Sequence, residues 1–257
     1  MPEITIKTKE DQIILQEAGK RLGTLLQILS GMVAPGVSAK ELDDFAYAWI
    51  TKQGDTPAFL DYTPDGVTNP YPNTLCVSIN EEIVHGIPHA EKVFKEGDIV
   101  SLDCGICHRG LFVDHAVTVP VGKVSQQLYD LINITQNAMY AGIDQARAGN
   151  TTGDIGHAVH QVVGSSYGTI RVLAGHGVGY AVHEPPYVPN YGKKGKGTPL
   201  VPGMVLAIEP MVTLGTDDVI FLDDEYTVIT ADNSLSAHFE HTVLITDGDP
   251  IILTQIV

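Results

Sequence analysis

The chain has 257 residues, 44% hydrophobic and 18% charged, a composition that supports one large folded core and excludes a disordered chain. Its net charge of −16 lacks the basic footprint of a nucleic-acid binder, and no apolar run approaches the roughly 20 residues of a membrane span. Three cysteines cannot build a disulfide framework, and MPEITIKTKEDQ lacks the basic and apolar regions of a signal peptide, so a cytoplasmic protein is expected.

In chain order, Thr8 with Asp11 predicts a capped helix start, followed by Ile14, Leu15, Ala18, Leu22, Leu25, Leu26 and Leu29 at helical spacing. After a break over Gly31–Gly36, Ser38 with Glu41 starts a second helix carrying Leu42, Phe45, Ala46 and Trp49. A loop rich in Pro, Gly, Asp and Asn runs from Gly54 to Pro72, long enough to suggest a functional role. Strands are predicted at Leu75–Asn80 and within 98–119. The pattern then restarts: Ser125 precedes a helix with Leu128, Leu131, Ile132, Ala138, Met139 and Ile143, and Thr151 with Asp154 opens another. PGVSAKELDDFA and AGNTTGDIGHAV align Gly36 with Gly149, Ser38 with Thr151, Glu41 with Asp154 and Leu42 with Ile155, which predicts an internal duplication. Further strands fall near Val172–Gly175, Met204–Val212, Tyr226–Thr230 and Phe239–Thr246, so the fold class is α+β in a single domain over residues 1–257.

The stretch DIVSLDCGICHRGLFVDHAVTV (98–119) reads as a β-hairpin around His108-Arg109-Gly110. A loop at His108-Arg109 sets Asp103 opposite Asp114; a loop at Arg109-Gly110 makes them diagonal neighbours. Either register leaves both on one face. Two adjacent carboxylates in apolar strands are either exposed on a wet sheet face or held together by a cation. Cys104 and Cys107 form a C-x-x-C inside a strand, without a second pair for zinc or a helix to open, so no redox or zinc role is assigned to them.

Glu209 ends the run MVLAIEP, where Pro210 keeps it extended, and Glu240 interrupts the apolar strand SAHFEHTVLIT. A buried carboxylate requires a cation or a proton. His176 lies between glycines in AGHGVG, His183 in VHEPP and His85 in VHGIP beside a predicted turn. Taken singly, each histidine is more often an ordinary surface or core residue than a ligand.

Together, CVSINEEIVHGIP, AGHGVGYAVHEPP, VPGMVLAIEPMV and SLSAHFEHTVLIT resemble, in order, the signature blocks of type I methionine aminopeptidases, with Asp103 and Asp114 between the first two. The resemblance spans the chain and implies that family's pita-bread fold, a pseudo-twofold duplication of helix pairs around a curved antiparallel sheet. It implies two divalent metal ions (Co, Mn, Fe or Zn) held by Asp103, Asp114, His176, Glu209 and Glu240, with Asp114 and Glu240 shared. By the same resemblance a metal-activated hydroxide attacks the scissile carbonyl and Glu209 accepts its proton. His183 would stabilise the developing oxyanion, and His85 would contact the substrate amide. Tyr62, Tyr71, Cys76 and Tyr226 would surround the methionine side chain. The implied reaction is removal of N-terminal methionine from nascent chains and peptides with a small second residue, by a monomer without nucleic-acid or membrane partners. Docking at the ribosome would need a basic patch, for which KKGK at 193–196 is the candidate.

The chain departs from the family at Asp103-Cys104-Gly105, where Asp-x-Thr is usual, and at Asp114-His115-Ala116, where Asp-Thr-Ser is usual. Tyr226 replaces a frequent tryptophan, and an insertion occupies Thr63–Asn69. An Xaa-Pro aminopeptidase or prolidase is the alternative within the fold, and Asp103-x-Gly105 leans toward it. A catalytically silent binding module is the alternative outside it, although all five ligand positions are retained.

Overall fold

The structure is a computed structural model that describes residues 4–64 and 66–256. Asp65, inside the predicted insertion, lies outside the described residues. The first half consists of α1 (Lys9–Met32), α2 (Ala39–Lys52), β1 (Thr56–Pro57), β2 (Leu75–Ile79), β3 (Glu82–Val84), β4 (Ile99–His108) and β5 (Leu111–Pro120). The second opens with α3 (Gln126–Gln145) and α4 (Thr152–Val163), then β6 (Gly168–Thr169), β7 (Ala174–Gly177), β8 (Glu184–Pro189), β9 (Val205–Ile208) and β10 (Met211–Thr213). It closes with β11 (Val219–Phe221), β12 (Val228–Thr230), β13 (Ser236–His238), β14 (Glu240–Leu244) and β15 (Ile251–Ile252).

The helix starts follow from their caps. Thr8 with Asp11, Ser38 with Glu41 and Thr151 with Asp154 each form a complete capping box, whereas Ser125 at the start of α3 makes no side-chain cap bond. The duplication extends to the backbone. Gly36 and Gly149 have φ of +89° and +90°, a region that favours glycine. Their N–H groups donate to Phe94 O at 2.9 Å and Leu200 O at 3.0 Å, and Ser38 and Thr151 each form an isolated antiparallel bridge, to Val93 and Pro199.

A nine-stranded sheet follows the order β1-β4-β5-β14-β9-β7-β8, with β2 beside β4 and β15 beside β14. All its pairs are antiparallel. The halves meet at β5 and β14, where Asp114 N donates to Thr242 Oγ1 at 2.9 Å and the hydroxyl returns to Asp114 O at 2.7 Å. The period of two divides β4 between two faces. Val100, Leu102, Cys104 and Ile106 join α1 and α2 in the largest core, with Leu22, Leu25 and Leu29 fully buried. Asp103 and Gly105 lie on the opposite face. Trp49 packs partly buried against that core, and Cys104 and Cys107, three apart, point to opposite faces.

The strand at Met204–Val212 is in fact two. Pro210 has no N–H for a ladder, so β9 stays in the large sheet while β10 joins β6 and β13 in a smaller one. The predicted strand at Val172–Gly175 shifts to β7, because Val172 is exposed and only the residues from Ala174 onward pair with β8. Strand β12 starts two residues after Tyr226, since the Asp224 carboxylate accepts from the Tyr226 and Thr227 N–H groups and holds them in a turn. Strand β14 starts at Glu240, after Phe239 donates to Pro210 O.

Candidate metal centre and substrate cavity

The hairpin closes on Arg109-Gly110, both at positive φ, and His108 pairs with Leu111. Asp103 therefore opposes Ala116 and Gly105 opposes Asp114, the diagonal register. Both aspartates are buried, at 8% and 4% exposure, which removes the wet-face alternative. Glu240 is opposite Ala116 on β14, and Glu209 follows the end of β9, so four carboxylates converge on the sheet face away from α1.

Their electrostatics follow from burial. Desolvation, then the charges of Asp114 and Glu209, hold Asp103 well above the ordinary carboxylate range. Desolvation, then Asp114 and Glu209, does the same to Glu240. Asp114 rises to about 6 by desolvation, partly offset by His176. Asp103 Oδ1 and Glu240 Oε1 are buried with no protein hydrogen-bond partner.

His176 Nδ1 donates to Gly177 O at 2.9 Å and directs Nε2 toward Glu209 Oε1 at 3.3 Å; against desolvation, the hydrogen bond and charge of Glu209 raise the imidazole above its ordinary value. Ligand-type atoms of Asp114, His176 and Glu240 lie within 4.8 Å of one another. This donor set, with two orphaned oxygens, fits a hard to borderline divalent cation. Neutralising so much buried charge is what such a cation would do.

Beside this cluster opens a cavity of about 300 Å³. It brings together every residue singled out from the sequence: Tyr62, Tyr71, Cys76, His85, Asp103, Asp114, His176, His183, Glu209, Tyr226 and Glu240. Cys76 sits opposite Asp103, because the Asp43 carboxylate on α2 accepts from the Thr74 and Leu75 N–H groups and sets the start of β2. Tyr71 and Tyr226 meet edge to face at 5.0 Å. The Tyr62 hydroxyl lies 2.8 Å from His183 Nδ1; with the phenol donating, Nε2 keeps its proton and can donate into the cavity. Burial, then His176 and His85, lowers His183 to about 3, so the ring is neutral near pH 7. Burial lowers His85 to about 4, against a hydrogen bond with the Tyr226 backbone.

Several lining residues escaped the sequence reading. His238 stands 3.7 Å from Glu209 with neither ring nitrogen hydrogen-bonded, and its position two residues before Glu240 was the available signal. Phe59 also lines the cavity, and this accounts for Gly105: a Cβ there would meet Ala58 Cβ and Phe59 Cε1, each at 2.9 Å. The ring occupies the space of the missing side chain. Val67, Phe221 and Glu225 also line the cavity. The Glu225 carboxylate accepts from the Thr68 and Asn69 N–H groups, each at 3.2 Å, and so ties down that loop. His115 faces the other side of the sheet, where its ring stacks on His241 at 4.5 Å.

Four carboxylates and an imidazole gathered on one face of a duplicated antiparallel sheet, beside a cavity walled by aromatics, define a metallohydrolase type of centre. Residues 14–247 match the profile of metallopeptidase family M24. A methionine aminopeptidase of Clostridium perfringens is 43% identical over 98% of this chain and 99% of its own, and one of Aquifex aeolicus is 45% identical over 94% and 95%. The crystal structure of methionine aminopeptidase from Thermotoga maritima superposes with a TM-score of 0.94 at 40% identity, covering 99% of this chain and 100% of that one. The chain belongs to metallopeptidase family M24, among its methionine aminopeptidases. Its fold is the pita-bread fold of that family, and membership implies dependence on divalent metal ions. A prolidase from Pyrococcus horikoshii shares the fold alone, at 20% identity, a TM-score of 0.76 and 64% of its length. No helix among the described residues is long and apolar enough to cross a membrane.

Proposed function

We propose that this chain, acting as one metallo-aminopeptidase domain, removes the N-terminal methionine from nascent proteins and peptides with a small second residue. The observation that carries this reading is the convergence of five ligand-type side chains, two with orphaned buried oxygens, beside an aromatic cavity. Asp103, Asp114, His176, Glu209 and Glu240 would hold two divalent ions. When bound, such ions supply Lewis acidity and lower the pKa of the attacking water. Glu209, beside His176 and only partly buried, accepts the proton from that water. His183 donates from Nε2 to the carbonyl oxygen as it gains negative charge, and His85 hydrogen-bonds the substrate amide. Tyr62, Tyr71, Cys76 and Tyr226 enclose the methionine side chain. We assign the native ions to Mn, Fe, Co or Zn and place the enzyme in the cytoplasm as a monomer. KKGK is the segment to test for any ribosome contact.

The test is to offer Met-Ala, Met-Lys and Ala-Pro peptides to protein loaded with Mn or Co. Release of methionine from Met-Ala alone is expected. Cleavage of Ala-Pro without methionine release would favour the prolidase alternative, and a protein that takes up no divalent ion would be a binding module.

A further inference from the structure

The β11–β12 hairpin ends at the mouth of the cavity, and β11 pairs with β12 alone. Its other edge carries no strand among the described residues. The register sets Val219 opposite Thr230 and Phe221 opposite Val228. Leu222 N donates to Thr227 O at 2.9 Å and Ala231 N to Asp218 O at 3.0 Å. Antiparallel bonding alternates, so the N–H and C=O groups of Val219 and Phe221 face away from β12. Proteins usually blunt such an edge with charge, proline or a covering segment. Here the exposed acids, Asp218 and Asp223, sit only at its ends. Between them run three exposed apolar residues, Ile220, Phe221 and Leu222. Phe221 is 61% exposed yet also lines the catalytic cavity, so the open edge and the cavity are continuous.

We propose that the open edge of β11 is a strand-addition subsite for the substrate's own residues downstream of the cleaved bond. The inference rests on the aminopeptidase reading of the cavity. A cavity of about 300 Å³ encloses one side chain and the scissile bond, so the rest of the polypeptide leaves by the mouth. An extended chain advances about 3.3 Å per residue and reaches Phe221 within a few residues. Main-chain hydrogen bonds suit a substrate set that shares an N-terminal methionine and little else, because they do not read side chains.

The test compares Met-Ala-Ser, the heptapeptide Met-Ala-Ser-Val-Thr-Val-Ser, and that heptapeptide N-methylated at residues four and five, all with the metal-loaded wild-type enzyme. Two edge hydrogen bonds predict a KM for the plain heptapeptide roughly tenfold below the tripeptide's, at similar kcat. N-methylation should return KM to the tripeptide value. Equal KM for all three, or a gain that survives N-methylation, would overturn the subsite. Analytical ultracentrifugation belongs beside the kinetics, because a dimer that the heptapeptide dissociates would assign the edge to a second copy and also overturn it. Methionine release from none of the three would remove the aminopeptidase reading and this inference together, whereas cleavage of the tripeptide without a length effect removes only the latter.

Discussion

At residue scale, the division of labour proposed for His176 and His183 rests on what each Nδ1 touches. His176 donates to a carbonyl and turns Nε2 into the carboxylate cluster beside Glu209, whereas His183 meets a phenol and keeps a proton on Nε2. Replacing His176 by Ala is therefore expected to lower metal content and rate together. His183→Ala should retain its metal while kcat falls by about 10²–10³-fold, the usual consequence of losing one oxyanion donor. Because that contact strengthens as charge develops, KM should change less than kcat. Elemental analysis and steady-state kinetics on the two variants decide this, and a folded, metal-loaded, fully active His183→Ala protein would exclude the role. Asp114 is central in the cluster, diagonal to Asp103 across the hairpin and adjoining His176 and Glu240. Its replacement by Ala should abolish both metal retention and turnover; two retained metals would show that the ligand set is wrongly drawn.

At the scale of elements, the hairpin of β4 and β5 sets the site's width. Its turn needs Arg109 and Gly110 at positive φ, and that turn alone selects the diagonal placement of Asp103 and Asp114. Gly105, on the same face as Asp103, makes room for the Phe59 ring. Gly105→Ala should force that ring toward the cavity, since Ala58 and Phe59 both stand at 2.9 Å from the new Cβ. The expected result is a raised KM for methionyl peptides with metal content unchanged. A variant with unaltered KM would show that Phe59 does not shape the methionine pocket.

For the whole molecule, two sets of buried groups oppose each other as pH changes. His85 and His115 are lowered to about 4, and His183 and His238 to about 3, all chiefly by desolvation. Their contribution to stability is complete above about pH 6.5 and is lost as pH falls toward those values. Asp114 is raised to about 6, and Asp103 and Glu240 are raised further from their ordinary range. Raised carboxylates act in the other sense: the metal-free fold loses stability as pH climbs through their folded values. Chelated protein should thus be most heat-stable near neutral pH and weaken on both sides. Bound divalent ions replace the protons, so the loaded protein should instead gain Tm from pH 7 to 8. Paired melts with and without chelator measure this, and superimposable pH profiles would rule out a metal at these carboxylates.

Local chemistry already wrote much of this molecule into the chain. Capping pairs at Thr8, Ser38 and Thr151, the helical stripe from Ile14 to Leu29 and the matched Gly36 and Gly149 fix helix starts and the duplication, because each depends on residues a few positions apart. The period of two likewise put Asp103 and Asp114 on one face before any register was known. Tertiary structure decided what distant segments do to one another. It selected the Arg109-Gly110 turn, divided the strand at Pro210 between two sheets, and set His238 beside Glu209. It also placed Phe59 over Gly105, and Glu225 against a loop more than 150 residues earlier. The Phe59 and Glu225 contacts have no local signal, since each arises where two segments remote in sequence compete for the same space or the same hydrogen bond. Pro210, Arg109-Gly110 and the place of His238 two residues before Glu240 were local cues whose outcome only the assembled sheets decided.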